Sequence, residues 1–436
     1  MTTQPDPGMH FQKDDVLVLF GELFGRGYAS GVVEAAKRAG MQIIGITVGR
    51  RDDNKVLRAL TAEELAAAED NLGGKIINIP LMAGFDLDAP EGQPTPTDLL
   101  NEMTIDNWQS HKLDWDYIAT CREIGTARFT TALKAAMAEI DALIPAGKKV
   151  VFLHTMAGGI PKAKVFLVLA NRIYKGRGAR HMKSQDLLDS DLGKFILQNF
   201  DEVSANTFDH LIRESAAIRS RIEASGGEVV YGAYGYHGTK VLIDGEYRWQ
   251  SYTNYTQGYA KMRLEGFAKA AWENGVRATV FNCPEIRTNS SDVFAGIELS
   301  LLPLLAALKR DGAGDLTDAI WAEAGALLKE GITIEAMLDR VAAYYSHEAM
   351  QPYYNFEAWP MPNSAEQAEQ TIGTSQEIVE MHRDPKALIS DLLSQHVLTA
   401  TGGLIFDALA NPQVPVKWLN HDAVTMQLTK GTQNAA

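Results

Sequence analysis

Cysteine is scarce in this chain, which has only Cys121 and Cys283 among 436 residues. A disulfide framework is therefore not indicated, and a reducing compartment is the simplest setting. No apolar run approaches the ~20 residues that a membrane-spanning helix needs. The N-terminal residues, MTTQPDPGMHFQKDD, also lack the basic and then apolar pattern of a secretory signal. These absences predict a cytoplasmic protein without a membrane span.

Positive charge is also in deficit, since 41 lysines and arginines face 55 acidic residues and give a net charge of -14. Such a chain is a poor candidate for binding nucleic acid or an anionic membrane over a broad surface. The sequence shows no internal repeat, no His/Cys/Asp cluster with metal-ligand spacing, no Gly-x-Ser-x-Gly elbow and no phosphate loop ending in Gly-Lys-Ser/Thr. We therefore predict neither a metal site nor a nucleic-acid partner.

Short apolar runs alternate with helical patterns along the first two thirds of the chain. Strands are predicted at residues 16–20, 42–48, 75–81, 150–153, 228–231 and 276–281, and helices at 31–39, 61–72, 117–144, 203–225 and 254–273. Residues 84–108 read as a surface loop, and helical patterns dominate beyond residue 291. This alternation predicts an α/β fold with a doubly wound parallel (Rossmann) sheet. Residues 1–290 would form this core, with an insertion around 160–202, and residues 291–436 a mostly helical extension packed on it.

A glycine-rich turn separates the first predicted strand from the first helix. It reads Gly21-Glu-Leu-Phe-Gly25-Arg26-Gly27. A tight turn that leads into a helix N-terminus offers backbone N–H groups and a positive dipole end to a pyrophosphate. The turn therefore predicts dinucleotide binding, with a purely structural turn as the alternative.

The second predicted strand ends in Arg50 and Arg51, where an acidic residue would contact the ribose 2′-hydroxyl of NAD. Guanidinium groups instead suit a 2′-phosphate, because they offer paired N–H donors. The sequence therefore favours NADPH. Pairing of the two arginines with Asp52 and Asp53 in solvent is the alternative, and these aspartates keep NADH open.

Two further loops follow predicted strands and lead to a family resemblance. Thr155-Met-Ala-Gly158-Gly159 follows the fourth strand, and Cys283-Pro-Glu-Ile286-Arg-Thr288 follows the sixth. Together with the Gly-x3-Gly-x-Gly turn, they resemble the corresponding loops of the short-chain dehydrogenase/reductase superfamily. The resemblance implies that Thr155 and Gly158 lie beside the adenosine ribose. It also implies that Ile286 and Thr288 surround the nicotinamide carboxamide.

Reductases of this superfamily pair a tyrosine hydroxyl with a lysine, and two candidate pairs exist here. Tyr236 and Lys240 have the common Tyr-x3-Lys spacing, but they lie in YGAYGYHGTK, where glycines argue against a helix. The pair needs one helical turn to bring both groups to one face. If they nevertheless formed the dyad, reduction of a carbonyl would be favoured.

Lys261 lies in a predicted helix that leads into the sixth strand, but residue 257, the usual tyrosine position, is glutamine. Tyr252 and Lys261 have Tyr-x8-Lys spacing, which resembles FabV-type trans-2-enoyl-thioester reductases. The run GYAKMRLEG…NGVRATVFNCPEIRT is similar to FabI-type enoyl reductases. The resemblance implies Tyr252 as the proton donor, Lys261 as the partner of the ribose, and Tyr236 as a second hydroxyl. Tyr255 and Tyr259 are rivals, and an aromatic packing layer is the alternative.

The resulting hypothesis is an NAD(P)H-dependent reductase of the C=C bond of an enoyl thioester. The acyl carrier would be coenzyme A or acyl carrier protein, and the enzyme a monomer or small homo-oligomer. Five basic residues between 171 and 183 either recognise such a carrier or form a solvated loop. An NADP(H)-dependent carbonyl reductase and a catalytically silent dinucleotide-binding regulatory protein remain as alternatives. His154 and His237 fit structural roles better than a proton-donor role.

Overall fold

A computed structural model describes residues 10–23, 27–47, 49–53, 56–156, 158–250, 256–286, 294–312 and 314–433. Within these residues, seven parallel strands form one sheet in the order β11-β10-β7-β6-β1-β2-β5, and two separate hairpins pair β3 with β4 and β8 with β9. The strands are β1 Val16–Phe20, β2 Gln42–Ile46, β3 Arg50–Arg51, β4 Leu57–Arg58, β5 Lys75–Ile77, β6 Lys149–His154, β7 Glu228–Tyr234, β8 Thr239–Ile243, β9 Glu246–Gln250, β10 Arg277–Asn282 and β11 Val416–Trp418. The predicted α/β fold with a doubly wound parallel sheet is confirmed.

Helices cover both faces of the sheet and build the C-terminal third of the chain. They are α1 Tyr28–Arg38, α2 Ala62–Leu72, α3 Pro96–Leu100, α4 Trp115–Asp141, α5 Lys164–Lys175, α6 Ser184–Leu188, α7 Asp191–Phe200, α8 Thr207–Glu214, α9 Ala216–Ala224, α10 Gln257–Glu273, α11 Ile297–Leu301, α12 Pro303–Asp311, α13 Asp315–Ala326, α14 Ile334–Ser346, α15 Ala365–Met381, α16 Asp391–Ala410 and α17 His421–Gln433. A π-helix, Asp201–Asn206, joins α7 to α8, where one uninterrupted helix was predicted.

Side-chain alternation along β1 fixes the two layers that sandwich the sheet. Val16, Val18 and Phe20 join a core cluster that includes residues of α4, α8 and α10. Leu17 and Leu19 join the opposite cluster, which includes residues of α1 and α16. Successive residues of a strand point to opposite faces, so an all-apolar strand must be covered on both sides.

Two parts of the sequence prediction were wrong. Residues 84–108 are not a surface loop, because they contain α3 and bury Phe85, Leu100, Met103 and Trp108 in the core. These apolar residues lack a period, so the pattern gave no sign of their burial. In the predicted helical region beyond residue 291, β11 adds a seventh strand beside β10. Three residues are too few to carry a strand signal.

The helices beyond residue 291 pack on the core and form an apolar cluster of their own. This third cluster also takes in Val241, Leu242 and Ile243 of β8. Helix α16 crosses α1 closely, since a Cβ on Gly402 would lie 2.5 Å from the Cα atom of Gly31. None of the helices among the described residues is long and apolar enough to cross a membrane. The division of the chain at residue 290 stays a prediction.

Candidate active site

The turn after β1 runs against the turn after β6, as parallel topology requires at the carboxyl edge of a sheet. The Thr155 backbone N–H donates to the Phe20 carbonyl over 2.9 Å. Gly21 has φ +131°, and a Cβ there would lie 2.5 Å from the Thr155 Oγ1 atom. Only glycine adopts this conformation in this space without strain. Two of the predicted cofactor-binding residues are therefore adjacent.

A cavity, here called the β1–β2 cavity, opens beside this turn. Its lining comes from the ends of β1 and β2, from the chain leading into β3, and from α2: Leu19, Gly21, Glu22, Leu23, Gly45, Thr47, Arg50, Glu64, Ala67, Ala68, Asn71, Leu72 and Ile76. Ligands of open α/β sheets bind at the carboxyl ends of the strands. The β1–β2 cavity lies at the carboxyl ends of β1 and β2.

Helix α1 begins directly after the glycine turn, with Gly27 as its N-cap residue. Among the described residues, no side chain caps this helix end. A Cβ on Gly27 would meet no described atom within 4 Å, and φ is 175°, an extended value open to any residue. The protein's own packing therefore does not require glycine at this position. The predicted Gly25 and Arg26 lie outside the described residues.

The two arginines after β2 point to different places, because successive residues of a strand face opposite sides. Arg50 lines the β1–β2 cavity, where its guanidinium forms a 2.5 Å salt bridge with Glu22. Arg51 instead lies within electrostatic range of Asp86, Asp88 and Arg128, and burial lowers the pKa of its guanidinium. The structure therefore brings Arg50 to the cavity but not Arg51.

Lys261 of α10 reaches the carboxyl edge where three strands end. Its ammonium donates to the Tyr234 carbonyl, at the end of β7, over 2.8 Å. It also interacts electrostatically with His154, which ends β6, and with Cys283, which follows β10. Only 7% of the Lys261 surface is exposed, and this burial lowers its pKa to about 8. A lysine here can carry charge near neutral pH and lose it in mild base.

Gln257 occupies the position of the missing tyrosine, one helical turn before Lys261. It is buried, and its amide donates to the Ser204 hydroxyl over 2.6 Å. The Ser204 hydroxyl donates in turn to the carbonyl of Gly158 over 3.1 Å. Ser204 belongs to the π-helix, a rare local winding that is often associated with functional sites. These hydrogen bonds connect Gln257, through Ser204, to the loop after β6.

Tyr236 lies in the turn that follows β7, and two contacts hold this turn against β10. The Gly235 N–H donates to the Phe281 carbonyl over 2.8 Å, and the His237 N–H donates to Asn282 Oδ1 over 2.7 Å. The Tyr236 hydroxyl then donates to Glu285 Oε2 over 2.8 Å. The phenol is therefore fixed beside the loop after β10.

Lys240, the other half of the Tyr-x3-Lys pair, lies on β8 rather than on a helix. Its ammonium is 5.2 Å from the centre of the Trp249 ring, a cation–π contact across the hairpin. Tyr236 and Lys240 therefore lack the helical turn that a short-chain dyad needs.

Tyr236 and Glu285 form one wall of a second cavity of about 810 Å³ of empty space, here called the tyrosine chamber. The C-terminal helices, α5 and β9 supply much of the remaining wall, and the full lining is Ile173, Tyr174, Tyr236, Gln250, Glu285, Phe294, Ala295, Gly296, Ile297, Ser300, Tyr344, Tyr345, Met350, Tyr353, Tyr354, Asn363, Gln367, Ala368, Thr371 and Ile372. Among the described residues, the buried Tyr354 hydroxyl and Gln250 Oε1 have no hydrogen-bond partner.

Sequence reasoning missed the polar residues that hold these groups in place. The buried Asn282 amide donates to Glu265 over 2.8 Å, and Glu265 lies one turn beyond Lys261 on α10. Glu265 also contacts His237 Nδ1 at 3.3 Å. The network ties the turn of Tyr236 to the helix of Lys261. A buried glutamate on a helix, such as Glu265, leaves no recognisable pattern in the sequence. Glu285, in contrast, lies in the CPEIRT loop that carries part of the family resemblance.

The remaining predicted residues have separate outcomes. Tyr252, its rival Tyr255 and Thr288 lie outside the described residues, so their roles stay predictions. Ile286 is buried in the C-terminal apolar cluster.

The two histidines are held by packing and hydrogen bonds. His154 is 2.7 Å from the Thr207 hydroxyl, and burial together with the nearby Lys261 lowers its pKa to about 3. His237 stacks between Phe356 and Trp359, with ring centres 4.3 and 4.5 Å away.

The basic segment 171–183 spans the end of α5 and the residues after it. Arg172, Arg180 and Lys183 are exposed, while Arg177 pairs with Glu369 of α15. The neighbouring residues Ile173 and Tyr174 point inward and line the tyrosine chamber. Positive charge therefore lies on the outer side of a helix that walls the chamber.

Comparison with known proteins identifies the family. A solved structure titled as the apo form of FabMG, a novel type of enoyl-acyl carrier protein reductase, shares 60% identity and a TM-score of 0.94, with 97% of this chain and 96% of that chain covered. A second FabMG structure, with NADH bound, shares 50% identity and a TM-score of 0.77 over 99% of this chain and 100% of that chain. A FabI–NADH complex from Alistipes finegoldii has 13% identity and a TM-score of 0.33, over 76% of this chain and 81% of that chain.

No curated protein matches the chain. A family profile described as enoyl-acyl carrier protein reductase FabMG matches residues 2–428. The resemblance to enoyl reductases is confirmed, and the chain belongs to the FabMG family of enoyl-acyl carrier protein reductases.

Proposed function

We propose that this enoyl reductase uses NADH to reduce the C=C bond of an acyl thioester delivered by acyl carrier protein. The β1–β2 cavity would hold the adenosine half of NADH, and the tyrosine chamber would hold the acyl group. The observation that carries the proposal is the position of Lys261, whose buried ammonium reaches the ends of β6 and β7. Tyr236 lies in the turn just beyond β7 and faces the chamber.

The residues around the glycine turn fit a dinucleotide. The open space at the Gly27 Cβ position and the lack of a side-chain cap on α1 among the described residues suit a close-lying pyrophosphate. Gly21 allows the tight turn that such a phosphate site needs. When bound, the nicotinamide supplies the hydride for the β-carbon of the enoyl thioester.

The chain's own residues supply charge and protons. The Lys261 ammonium would bind the nicotinamide ribose and lower the pKa of a nearby phenol. Hydride addition places negative charge on the thioester oxygen, and a positioned phenol can donate to it. One such donor contributes about 2.7–4 kcal/mol in comparable sites. Tyr252 and Tyr236 are the proposed phenols, and Tyr236 is the one within the described residues.

The surroundings of Arg50 support NADH rather than the NADPH predicted from the two arginines. Arg50 is already paired with Glu22, and the Glu64 carboxylate lines the same cavity. A 2′-phosphate would have to displace Glu22 from Arg50, because Glu64 and Arg58 already neutralise each other. The NADH found in a FabMG relative at 50% identity agrees with this choice.

The exposed basic residues Arg172, Arg180 and Lys183 support a protein carrier. Charged patches steer an oppositely charged partner and speed encounter. Because α5 also lines the tyrosine chamber, a carrier bound there would lie next to the acyl site. The orphaned polar atoms of Tyr354 and Gln250 could then bond the amide groups of a pantetheine arm.

Steady-state oxidation of NADH and NADPH with three substrates tests the assignment. We expect turnover with crotonyl-acyl carrier protein, weaker turnover with crotonyl-CoA, and none with acetoacetyl-CoA. Turnover of acetoacetyl-CoA alone would establish the carbonyl-reductase alternative, and no turnover despite tight NADH binding would establish the silent one.

Two sets of variants separate the details of the proposal. Arg172→Glu with Arg180→Glu should raise KM for the carrier-bound substrate and leave that of crotonyl-CoA unchanged. Equal effects on both substrates would remove the basic segment from carrier recognition. Tyr252→Phe and Tyr236→Phe should each lower kcat while sparing NADH affinity, and an unchanged kcat would remove that phenol from the reaction.

A further inference from the structure

Glu285 is the only charged residue that lines the tyrosine chamber within the described part of the chain. The other polar groups of the lining are neutral. They are six tyrosines (Tyr174, Tyr236, Tyr344, Tyr345, Tyr353 and Tyr354) and the side chains of Gln250, Ser300, Asn363, Gln367 and Thr371. Neither lysine, arginine nor histidine appears among these lining residues. Glu285 is half-buried, and a carboxylate in such a place is usually paired with a cation, so its described surroundings call for an explanation.

The carboxyl group accepts two hydrogen bonds: its Oε2 accepts the hydroxyl of Tyr236 over 2.8 Å, and the Ile286 backbone N–H also donates to it. The hydrogen bonds donated by the Gly235 and His237 N–H groups hold the turn of Tyr236 against β10. Glu285 follows β10 by only three residues, so the same bonds fix Tyr236 close to Glu285. Tyr236 and Glu285 are therefore placed against each other by backbone and not by flexible side-chain reach.

We propose that Glu285 is a catalytic residue that returns a proton to Tyr236 after each turnover. This role rests on the proposed function, in which the Tyr236 phenol donates to the substrate. The hydride from NADH forms the new C–H bond at the β-carbon, and the C=C electron pair moves to give the enolate. The α-carbon of the enolate takes the proton of Tyr236 and forms the second C–H bond, the O–H bond of Glu285 breaks to restore the phenol, and a proton from solvent restores the Glu285 acid. The balance is one enoyl thioester, NADH and one proton to one acyl thioester and NAD⁺.

The direction of transfer follows from the acidities of the two groups. A phenolate is a much stronger base than a carboxylate, so a carboxylic acid hands its proton to Tyr236 readily. Burial raises the pKa of Glu285 to about 7, although the hydrogen bond from Tyr236 opposes this shift. The acid form is therefore present near neutral pH, where a general acid works best.

The experiment compares Glu285→Gln, Glu285→Asp and Tyr236→Phe in the full chain, with NADH and crotonyl-CoA as the probes. Glutamine keeps the size and a hydrogen-bond acceptor but has no acid to donate. We expect it to lower kcat by at least about tenfold, with NADH affinity within twofold of the parent. The loss of rate that the parent shows as pH rises through 7 should vanish, leaving only the decline near pH 8 that Lys261 causes. Aspartate should restore part of kcat together with the limb near pH 7.

Two outcomes would overturn the relay. One is Glu285→Gln with the parent's kcat and pH profile. The other is a Glu285→Gln enzyme that folds and binds NADH but has a low kcat, together with a Glu285→Asp enzyme whose kcat is equally low. That pair of results would assign Glu285 a packing role. An unchanged kcat in Tyr236→Phe would likewise remove the relay, because the relay runs through that phenol, whereas the proposed function fails separately, through a parent that does not oxidise NADH with crotonyl-CoA. If glutamine prevents folding, Glu285→Ala takes its place, and a folded Glu285→Ala enzyme with the parent's kcat and pH profile overturns the relay.

Discussion

The Gln257 amide donates to the Ser204 hydroxyl over 2.6 Å, one helical turn before Lys261. In the short-chain pattern residue 257 would be the catalytic tyrosine. The hydrogen bond to Ser204 therefore shows what the glutamine does in its place. Gln257 faces the π-helix and, through Ser204, supports the loop that contains Gly158. A different residue, Tyr236 in the turn after β7, lines the tyrosine chamber. The family assignment makes the chain an enoyl reductase, and we propose that a phenol from another segment replaces the missing dyad.

Replacing Gln257 tests this structural role. Gln257→Leu removes the hydrogen bonds and should cost about 1–2 kcal/mol of unfolding free energy, with kcat per folded molecule within about twofold of the parent. Gln257→Tyr adds a ring to a buried site and should cost about 1–3 kcal/mol through overpacking, with no gain in kcat. Urea denaturation and NADH oxidation provide the two measurements. A folded Gln257→Leu enzyme without turnover would mean that the glutamine takes part in the reaction.

The glycines of α1 offer a matched pair for testing the phosphate site. A Cβ on Gly27 would meet no described atom within 4 Å, so Gly27→Ala should change unfolding free energy by less than about 1 kcal/mol. The methyl group would occupy the space assigned to the pyrophosphate, and we expect the Kd for NADH to rise at least about tenfold, which equals roughly 1.4 kcal/mol. Isothermal titration with NADH measures this effect.

Gly31→Ala should show the opposite behaviour. Its Cβ would lie 2.6 Å from the Leu398 carbonyl and 3.0 Å from the Cα atom of Gly402, so α1 and α16 would have to separate. We expect a loss of about 1–3 kcal/mol of unfolding free energy. If Gly27→Ala instead destabilises the apo protein and leaves NADH affinity intact, the glycine turn is structural.

Glu22 should control the choice between the two cofactors. Glu22→Gln removes the carboxylate that pairs with Arg50 and lowers the repulsion that a 2′-phosphate meets. Because a partly exposed ion pair contributes about 0–1 kcal/mol, we expect kcat/KM for NADPH to rise by up to about fivefold relative to that for NADH. Parallel assays with both cofactors measure the ratio.

The control for this prediction is Glu63→Gln, an exposed residue of α2 that does not line the cavity. It should leave the ratio unchanged. Equal changes in both variants would indicate a long-range charge effect, and a parent-like ratio in Glu22→Gln would show that Glu22 does not exclude the phosphate.

The sequence predicted the elements whose signals are local. The β1 run, helix α2 and the helix of Lys261 are all predicted within a few residues of their observed positions. What it could not predict depends on contacts between distant segments. The Tyr236–Glu285 pair joins the ends of two strands, and the different surroundings of Arg50 and Arg51 follow from a two-residue hairpin. Neither feature has a period or a motif.

Lys261 allows the electrostatic part of the site to be tested through stability. Burial lowers its pKa from 10.5 in the reference state to about 8, so between these values the unfolded chain binds more protons than the folded one. The parent should therefore gain stability relative to Lys261→Met as pH rises from 7 to 10, by about 2 kcal/mol. Urea denaturation at pH 7 and pH 10 measures the unfolding free energy of both proteins. Taking their difference at each pH removes the contribution of the other titrating groups.

The same titration should govern activity in the opposite direction. The ammonium that binds ribose is lost above pH 8, so kcat/KM of the parent should fall as pH rises through that value, while Lys261→Met should have at least about 100-fold lower kcat/KM at pH 7. Lys240→Met is the matched control, because that lysine packs on Trp249 outside the chamber lining. It should retain the parent's kcat/KM and pH profile. A stability difference that does not change between pH 7 and pH 10 would mean that Lys261 is not buried as a charge, and its proposed contact with the ribose would then lose its electrostatic basis.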